Sequence, residues 1–203
     1  MDQLLQIIKE YHLDFHFAVL LQKNRSNDSP YHNLNHSLCV MHNCYRLAKS
    51  ENLNEDETKE LIIASIYHDF GHSLGKDVDA VNIERAKKYY LLYSRDSQSV
   101  KHKVCMLIET TQYPYLVTEN LSLQQKIIRD ADSMQLLEDN YLQQTIVGFL
   151  MGELNMNLKT AILNQIKFMN TLTFHTDLAK NIAAEKLPAR IEMMNYIKKL
   201  INL

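Results

Sequence analysis

Four stretches of this sequence carry side chains that can hold a metal ion or move a proton. His32 and His36 stand four apart in YHNLNH, and His68, Asp69 and His72 fall together in HDFGH. Asp130 and Asp132 share RDADSM, and His102 stands alone. On a helix, positions i and i+4 share a face, so His32 flanks whatever His36 binds and His72 flanks whatever His68 binds. Asp69 points about 100 degrees away from His68 around such an axis. An adjacent histidine and aspartate therefore grip one ion from two directions, and the carboxylate can bridge to a second. Imidazole nitrogen with carboxylate oxygen suits zinc, manganese, iron, cobalt or nickel, with magnesium at an oxygen-rich second position. The residues thus ask for one or two divalent cations without naming the element.

Singly, these pieces say little. A His-Asp pair closing an apolar helix is more often a capping or core hydrogen-bonding pair, and Asp-Ala-Asp is common in helices. The order along the chain gives the pattern its weight: histidine, then His-Asp at the end of a strongly apolar helix, then aspartate on a later helix.

The elements that must position these side chains read as helices. The 203 residues include only four glycines and three prolines, and no Asn-Gly or Asp-Gly dipeptide joins alternating apolar runs. A hydrophobic content of 46% suits one domain, residues 1–203, with a sizeable core. Leu4, Leu5, Ile8, Tyr11, Phe15 and Val19 mark an amphipathic helix over residues 2–24. A second helix is predicted from Asn33 or Asn35 to Lys49. A third opens at Asn54, with acidic residues in its first turn, and its LIIASIY run is too continuously apolar for the surface. Further helices are predicted at 79–94, 97–111, 121–137, 140–154, 157–173 and 177–202, the last kinked or restarted at Pro188. The expected architecture is all-α, a compact helical bundle.

A formal net charge of -2, with both signs interspersed, offers no field for a nucleic-acid polymer or an anionic membrane. Cys39, Cys44 and Cys105 are odd in number and lack CxxC spacing, as expected of reduced thiols. The first ten residues lack the basic start of a secretory signal, and no apolar run approaches the roughly 18–20 residues that span a bilayer. These features predict a soluble, cytoplasmic protein, and a homo-oligomer is compatible with them.

The order H…HD…D resembles the HD-domain superfamily of metal-dependent phosphohydrolases, over residues 31 to 175. That resemblance implies an all-α bundle with the metal at its centre, held by His36, His68, Asp69 and an aspartate of the Asp-Ala-Asp. Asp132 is the better match, because it follows a small residue and opens a short hydrophobic turn; Asp130 would then be a neighbour or a helix-surface charge. Within the superfamily, YHNLNH, HDFGH and QIKF (Gln165 to Phe168) resemble the YHNxxH, HDxxH and QxxF signatures of cyclic-nucleotide phosphodiesterases. By that resemblance His32 is the general acid for the leaving oxygen, Asp69 serves both metal and catalysis, and Gln165 and Phe168 hold and stack on the base. A small nucleotide is the implied substrate.

The chemistry is coherent without the family. A protonated imidazole can donate to a departing ribose oxygen while a water acidified by two cations attacks phosphorus in line. Glutamine can bond a purine edge and a phenyl face can stack on the ring, and at spacing i, i+3 the two share a helix face. Phe168 also fits a buried helix face with Ile162, Ile166, Met169 and Leu172, in which case Gln165 is a solvated residue. Tyr31 and His72 stand beside the motif histidines as pocket residues, and Lys76 and Arg129 are the cations nearest the motifs for a phosphate oxygen. The phosphodiesterase pattern is departed from after HDFGH, where SLGKD stands in place of Pro-Gly. The pattern's acidic residue on the following helix falls at Val81, with Glu84 as an imperfect substitute. Thr110, Thr111 and Tyr113, around QYPY, are candidate pocket residues. The rival readings are a nucleotide phosphatase of the same superfamily, acting on a nucleoside monophosphate or a guanosine polyphosphate, and a metal-bound nucleotide sensor or sponge without turnover.

Overall fold

The computed structural model describes residues 2–116 and 119–201, and these form helices joined by short connections. In chain order they are α1 (Asp2–Glu10), α2 (Asp14–Lys23), α3 (Leu34–Ser50), α4 (Glu55–Tyr67), α5 (Asp79–Tyr93), α6 (Gln98–Thr110) and α7 (Leu123–Ser133). A 3-10 turn (Met134–Leu137) and a π-helix (Leu142–Glu153) follow, then α8 (Leu158–Thr171) and α9 (Asp177–Leu200). No strand occurs among the described residues. The all-α architecture expected from composition is the one observed.

α4 is the central helix. Every residue from Leu61 to Tyr67 is buried, which is why its sequence shows no polar stripe. It packs against α2, α3, α5, α6 and α7. Asn54 starts it, its side-chain oxygen accepting from the Glu57 N–H at 2.9 Å, and Asn33 starts α3 by accepting from the His36 N–H at 3.0 Å. The second cap fixes His36 in the first turn of α3, facing the C-terminal end of α4. Ser122 and Gln125 close a reciprocal capping box on α7, the helix that carries Asp132.

Three predicted elements change. The stripe over residues 2–24 is broken at His12, whose φ of 54° turns the chain between α1 and α2. Leu13, which lies off the amphipathic stripe, is fully buried by that turn. α9 runs as one helix through Pro188, because Pro188 and Ala184, whose carbonyl loses its partner, are both exposed to water. Its predicted end at residue 202 lies outside the described residues. The segment predicted as an ordinary helix over 140–154 is wound as a π-helix, a form found mostly at functional sites and seldom this long.

The π-helix fits closely against the segment that precedes α3. A β-carbon at Gly148 would lie 2.6 Å from the Pro30 carbonyl oxygen, and one at Gly152 would lie 3.2 Å from the Pro30 Cβ. Two glycines four apart thus let the π-helix approach residues 30–32.

Candidate metal centre and cavity

The end of α4, the first turn of α3 and the last turn of α7 converge on one point. His36 Nε2 lies 3.1 Å from Asp69 Oδ2 and 3.3 Å from Asp132 Oδ1. His68 Nε2 lies 3.0 Å from Asp69 Oδ2, 3.7 Å from Asp132 Oδ1 and 3.3 Å from His36 Nε2. Ligands about 2.0–2.1 Å from a single cation stand roughly 3.0–3.5 Å apart, so the His36, His68 and Asp69 atoms fit around one divalent ion, with Asp132 Oδ1 beside both imidazoles.

The remaining nitrogens orient the rings. His36 Nδ1–H donates to Gln135 Oε1 at 3.0 Å, and His68 Nδ1–H donates to the Ser65 carbonyl at 2.8 Å. Both imidazoles therefore turn an Nε2 lone pair toward the shared point, as metal-ligating histidines do. Gln135 comes from the 3-10 turn just after Asp132.

Charge at this point is balanced by attraction. Burial disfavours a charged His36, but the Asp132 and Asp69 carboxylates outweigh it and raise the imidazole to about 9. For His68 burial is likewise outweighed, chiefly by Asp69 and then Asp132, and its value is raised well above the ordinary one. Burial also works against a charged Asp132, yet His36 and His68 bring its carboxyl down to about 2. The cluster attracts positive charge, either as protons or as a metal ion.

Asp130 does different work. It is buried and accepts from the His175 N–H, the Thr176 N–H and the Thr176 hydroxyl at 2.7–3.0 Å, tying α7 to the start of α9. It is neither a ligand in this geometry nor a surface charge.

His32 is not on the helix face that its spacing suggested, because α3 begins only after the Asn33 cap. It reaches the site from the preceding loop, held by Glu153 at the end of the π-helix. His32 Nδ1–H donates to Glu153 Oε2 at 2.5 Å. Glu153 Oε1 accepts the backbone N–H groups of Tyr31 and His32 at 2.7 and 2.9 Å. Burial disfavours charge on Glu153, but these bonds, led by that from His32, hold its carboxyl below the usual range.

His72 has also left the helix. The chain turns at Gly71, with φ 76°, and the His72 ring stacks on His32 with centroids 3.6 Å apart and planes at 24°. His32, His72 and Glu153 are close enough to suggest a second metal group. Stacked rings, however, send their lone pairs in nearly parallel directions, so both cannot point at one ion about 2.1 Å away. Within the trio His32 and Glu153 share a hydrogen bond, and His72 stacks on His32.

Both centres open into a cavity of about 530 Å3. Tyr31, His32, Asp69, His72 and Asp132 line it on one side and Gln165 and Phe168 on another. The Tyr31 ring packs between His36 and Phe149, at 4.8 and 4.9 Å. Gln165 is buried, with an amide nitrogen that has no partner among the described residues, so it is no solvated surface residue. Phe168 meets Tyr113 edge to face at 5.8 Å. Thr111, Tyr113 and Tyr115 form a wall that is tied down by the Tyr113 N–H to Asp79 Oδ2 and by the Arg129 guanidinium, 4.1 Å above the Tyr115 ring.

Several expected residues are placed elsewhere. Lys76 is exposed and does not line the cavity, because the loop beyond HDFGH turns again at Leu74 and Gly75. Arg129 is buried, donates to the Thr110 carbonyl, and braces the aromatic wall. Lys167, which the motifs did not single out, is the one cation among the described lining residues. Glu84 is turned to Lys87 at 2.7 Å, and Asp79 is the acid of α5 that faces the cavity. Both ring nitrogens of His72 meet protein groups, Nδ1 accepting from the Leu74 N–H at 3.1 Å and Nε2 lying 3.0 Å from the Asn82 side-chain amide, so it presents a ring face and no open nitrogen. His102 is exposed on α6 and is not among the residues that line the cavity.

Sequence reading missed Gln135, Glu153, Asn82 and Asp79. Glu153 had a signal: it is the only charged residue between Asp139 and Lys159.

A family model, the HD domain, matches residues 33–137, more than half of the chain and a span that holds all four converging side chains. The chain belongs to the HD-domain superfamily of metal-dependent phosphohydrolases. Comparison with curated proteins gives no match, and neither does comparison with solved structures. His32, Glu153, Gln165 and Phe168 lie outside the matched residues.

Proposed function

We propose that this protein is a phosphodiesterase that opens a cyclic nucleotide, with His32 as the general acid. The observation that carries the reading is the His32–Glu153 pair standing beside the four-ligand cluster at the mouth of one cavity. A divalent cation held by His36, His68, Asp69 and Asp132 would supply Lewis-acid charge and an acidified water, with Asp69 placed to share a second ion.

The protein's own groups account for the proton. Glu153 is kept ionised by three donors and so holds a hydrogen on His32 Nδ1. The proton given to a leaving oxygen must then come from Nε2, the ring nitrogen for which the described residues supply no partner. Losing it leaves a neutral ring already in the correct tautomer. Glu153 thus performs the orienting and charge-supporting role that a carboxylate plays behind a catalytic imidazole.

Charge in the cavity favours a diester over the rival substrates. Its described lining carries Asp69, Asp77, Asp79 and Asp132 against Lys167 alone, and no arginine fork faces inward. A diester brings one negative charge, whereas a monophosphate brings two and a guanosine polyphosphate more. The buried amide of Gln165, the Phe168 ring and the Tyr113–Tyr115 wall supply the hydrogen bond and aromatic faces that a base needs. Three free cysteines, and the lack of any described helix long and apolar enough to cross a membrane, fit a cytoplasmic enzyme of small nucleotides.

The test is a panel of cyclic mono- and dinucleotides, deoxynucleoside monophosphates and guanosine polyphosphates, each with manganese, zinc or magnesium. Turnover of a cyclic member is expected. Release of phosphate from monophosphates alone would replace this reading with a phosphatase, and tight binding without product under every metal would replace it with a sensor.

A further inference from the structure

We infer that Asn82 is a positioning residue for proton delivery, acting on His32 through the His72 ring; the inference rests on the role given to His32 above. The His32 ring is held on three sides. Glu153 takes its Nδ1, Phe149 meets it edge-on with centroids 5.2 Å apart, and His72 covers one face at 3.6 Å. The orientation of His72 therefore sets the plane in which His32 presents Nε2.

Nothing on α4 holds His72, because Gly71 has taken it off the helix. Its Nδ1 accepts from the Leu74 N–H, which leaves the ring hydrogen on Nε2, and Nε2 lies 3.0 Å from the Asn82 side-chain amide. Asn82 is buried, and the same amide meets Ser73 N–H at 3.1 Å and Arg85 Nη1 at 2.7 Å. Arg85 is anchored in turn by Asp77 Oδ2 and the Gly71 carbonyl. A chain of contacts thus runs from Asp77 through Arg85 and Asn82 to His72, and ends on the face of His32. Asn82 itself does not reach the reacting atoms.

A positioning role for the acid has a signature that a merely structural role lacks: dependence on the leaving group. Bis(p-nitrophenyl) phosphate expels a stable anion that needs little protonation, whereas diphenyl phosphate expels a much more basic one. With the metal-loaded protein, Asn82→Ala is expected to lower kcat for diphenyl phosphate by about tenfold or more, within the roughly 10²–10⁴-fold range that a positioned acid supplies. Its kcat for bis(p-nitrophenyl) phosphate, both KM values and its metal content should stay within about threefold. His32→Ala should show the same selectivity more strongly. Asn82→Asp should restore the wild-type ratio, because a carboxylate still accepts from Arg85 and Ser73 while His72 donates from Nε2 and accepts from Leu74. Asn82→Ser is run beside the alanine variant and should reproduce its selectivity if Asn82→Ala does not fold.

Equal loss on both esters, or loss of metal, in Asn82→Ala or Asn82→Ser would overturn the inference and leave Asn82 a structural residue. A selective loss in His32→Ala with none at position 82 would overturn it while leaving the acid in place. No selectivity in His32→Ala, or no cleavage of either ester by the wild-type protein, would overturn the reading on which it rests and the inference with it.

Discussion

Asp130 and Asp132 are two residues apart on α7 and serve opposite structures: Asp132 faces His36 and His68, and Asp130 faces the backbone that starts α9. The short spacing turns one carboxylate into the metal cluster and the other into the packing behind it. Sequence alone favoured Asp132 only through family likeness. The three donors on Asp130 supply the physical reason.

The two aspartates should separate in the laboratory. Asp132→Ala is expected to lose bound metal, and its metal-free form also loses the attraction of this carboxylate for His36 and His68. Asp130→Ala should bind metal with wild-type stoichiometry but lose about 2 kcal/mol or more of stability, since it leaves three donors near α9 without their acceptor. Elemental content and thermal melts of the two variants check this, and a metal loss shared by both would contradict it.

Gly75, which lines the cavity beside His72, should prove important to proton delivery. Its φ is 77°, and a β-carbon there would lie 2.4 Å from the Glu153 carbonyl oxygen. Backbone cannot yield as a flexible side chain does, so Gly75→Ala must push the end of the π-helix and Glu153 away from His32. A destabilisation of ~2 kcal/mol or more is expected, together with a fall in turnover at temperatures where the variant remains folded. Unchanged activity in a folded Gly75→Ala protein would show that the His32–Glu153 contact tolerates displacement.

Behind the metal cluster, Asp96 links α2 to the connection after α5. Burial disfavours its charge, but His16, Ser94 and Tyr90 outweigh this and hold its carboxyl below the usual range. A depressed carboxyl adds stability above its unfolded value, about 3.9, and that stability fades as the pH falls through the lower folded value. Asp96→Asn should therefore be less stable than wild type near pH 7, and the gap should narrow on acidification below about pH 4. Denaturant melts of both proteins across that interval measure it. A gap independent of pH would mean that packing, rather than charge, holds the contact.

Much of this was legible in the residues. The apolar run on α4 announced a buried helix, the cap at Asn54 marked its start, Asn33 or Asn35 marked that of α3, and the order of histidines and aspartates, through family likeness, pointed to the four converging side chains. What escaped depended on backbone turns and distant pairing. His32 and His72 were placed on helix faces by spacing, but the Asn33 cap and Gly71 put both in loops, where they stack. Lys76 was chosen for nearness in sequence, and the turns at Leu74 and Gly75 carry it away. Glu153 lies 121 residues from His32, in a segment whose winding as a π-helix no periodicity announced.

The division of labour between the two opening histidines is the centre of this account, and metal content read beside turnover tests it most directly. His36→Ala is expected to lose the bound divalent ion. His32→Ala is expected to retain it at wild-type stoichiometry while turnover of a cyclic nucleotide falls by roughly 10²-fold or more. Equal loss of metal from both variants, or undiminished turnover in His32→Ala, would contradict the assignment of one histidine to the metal and the other to the proton.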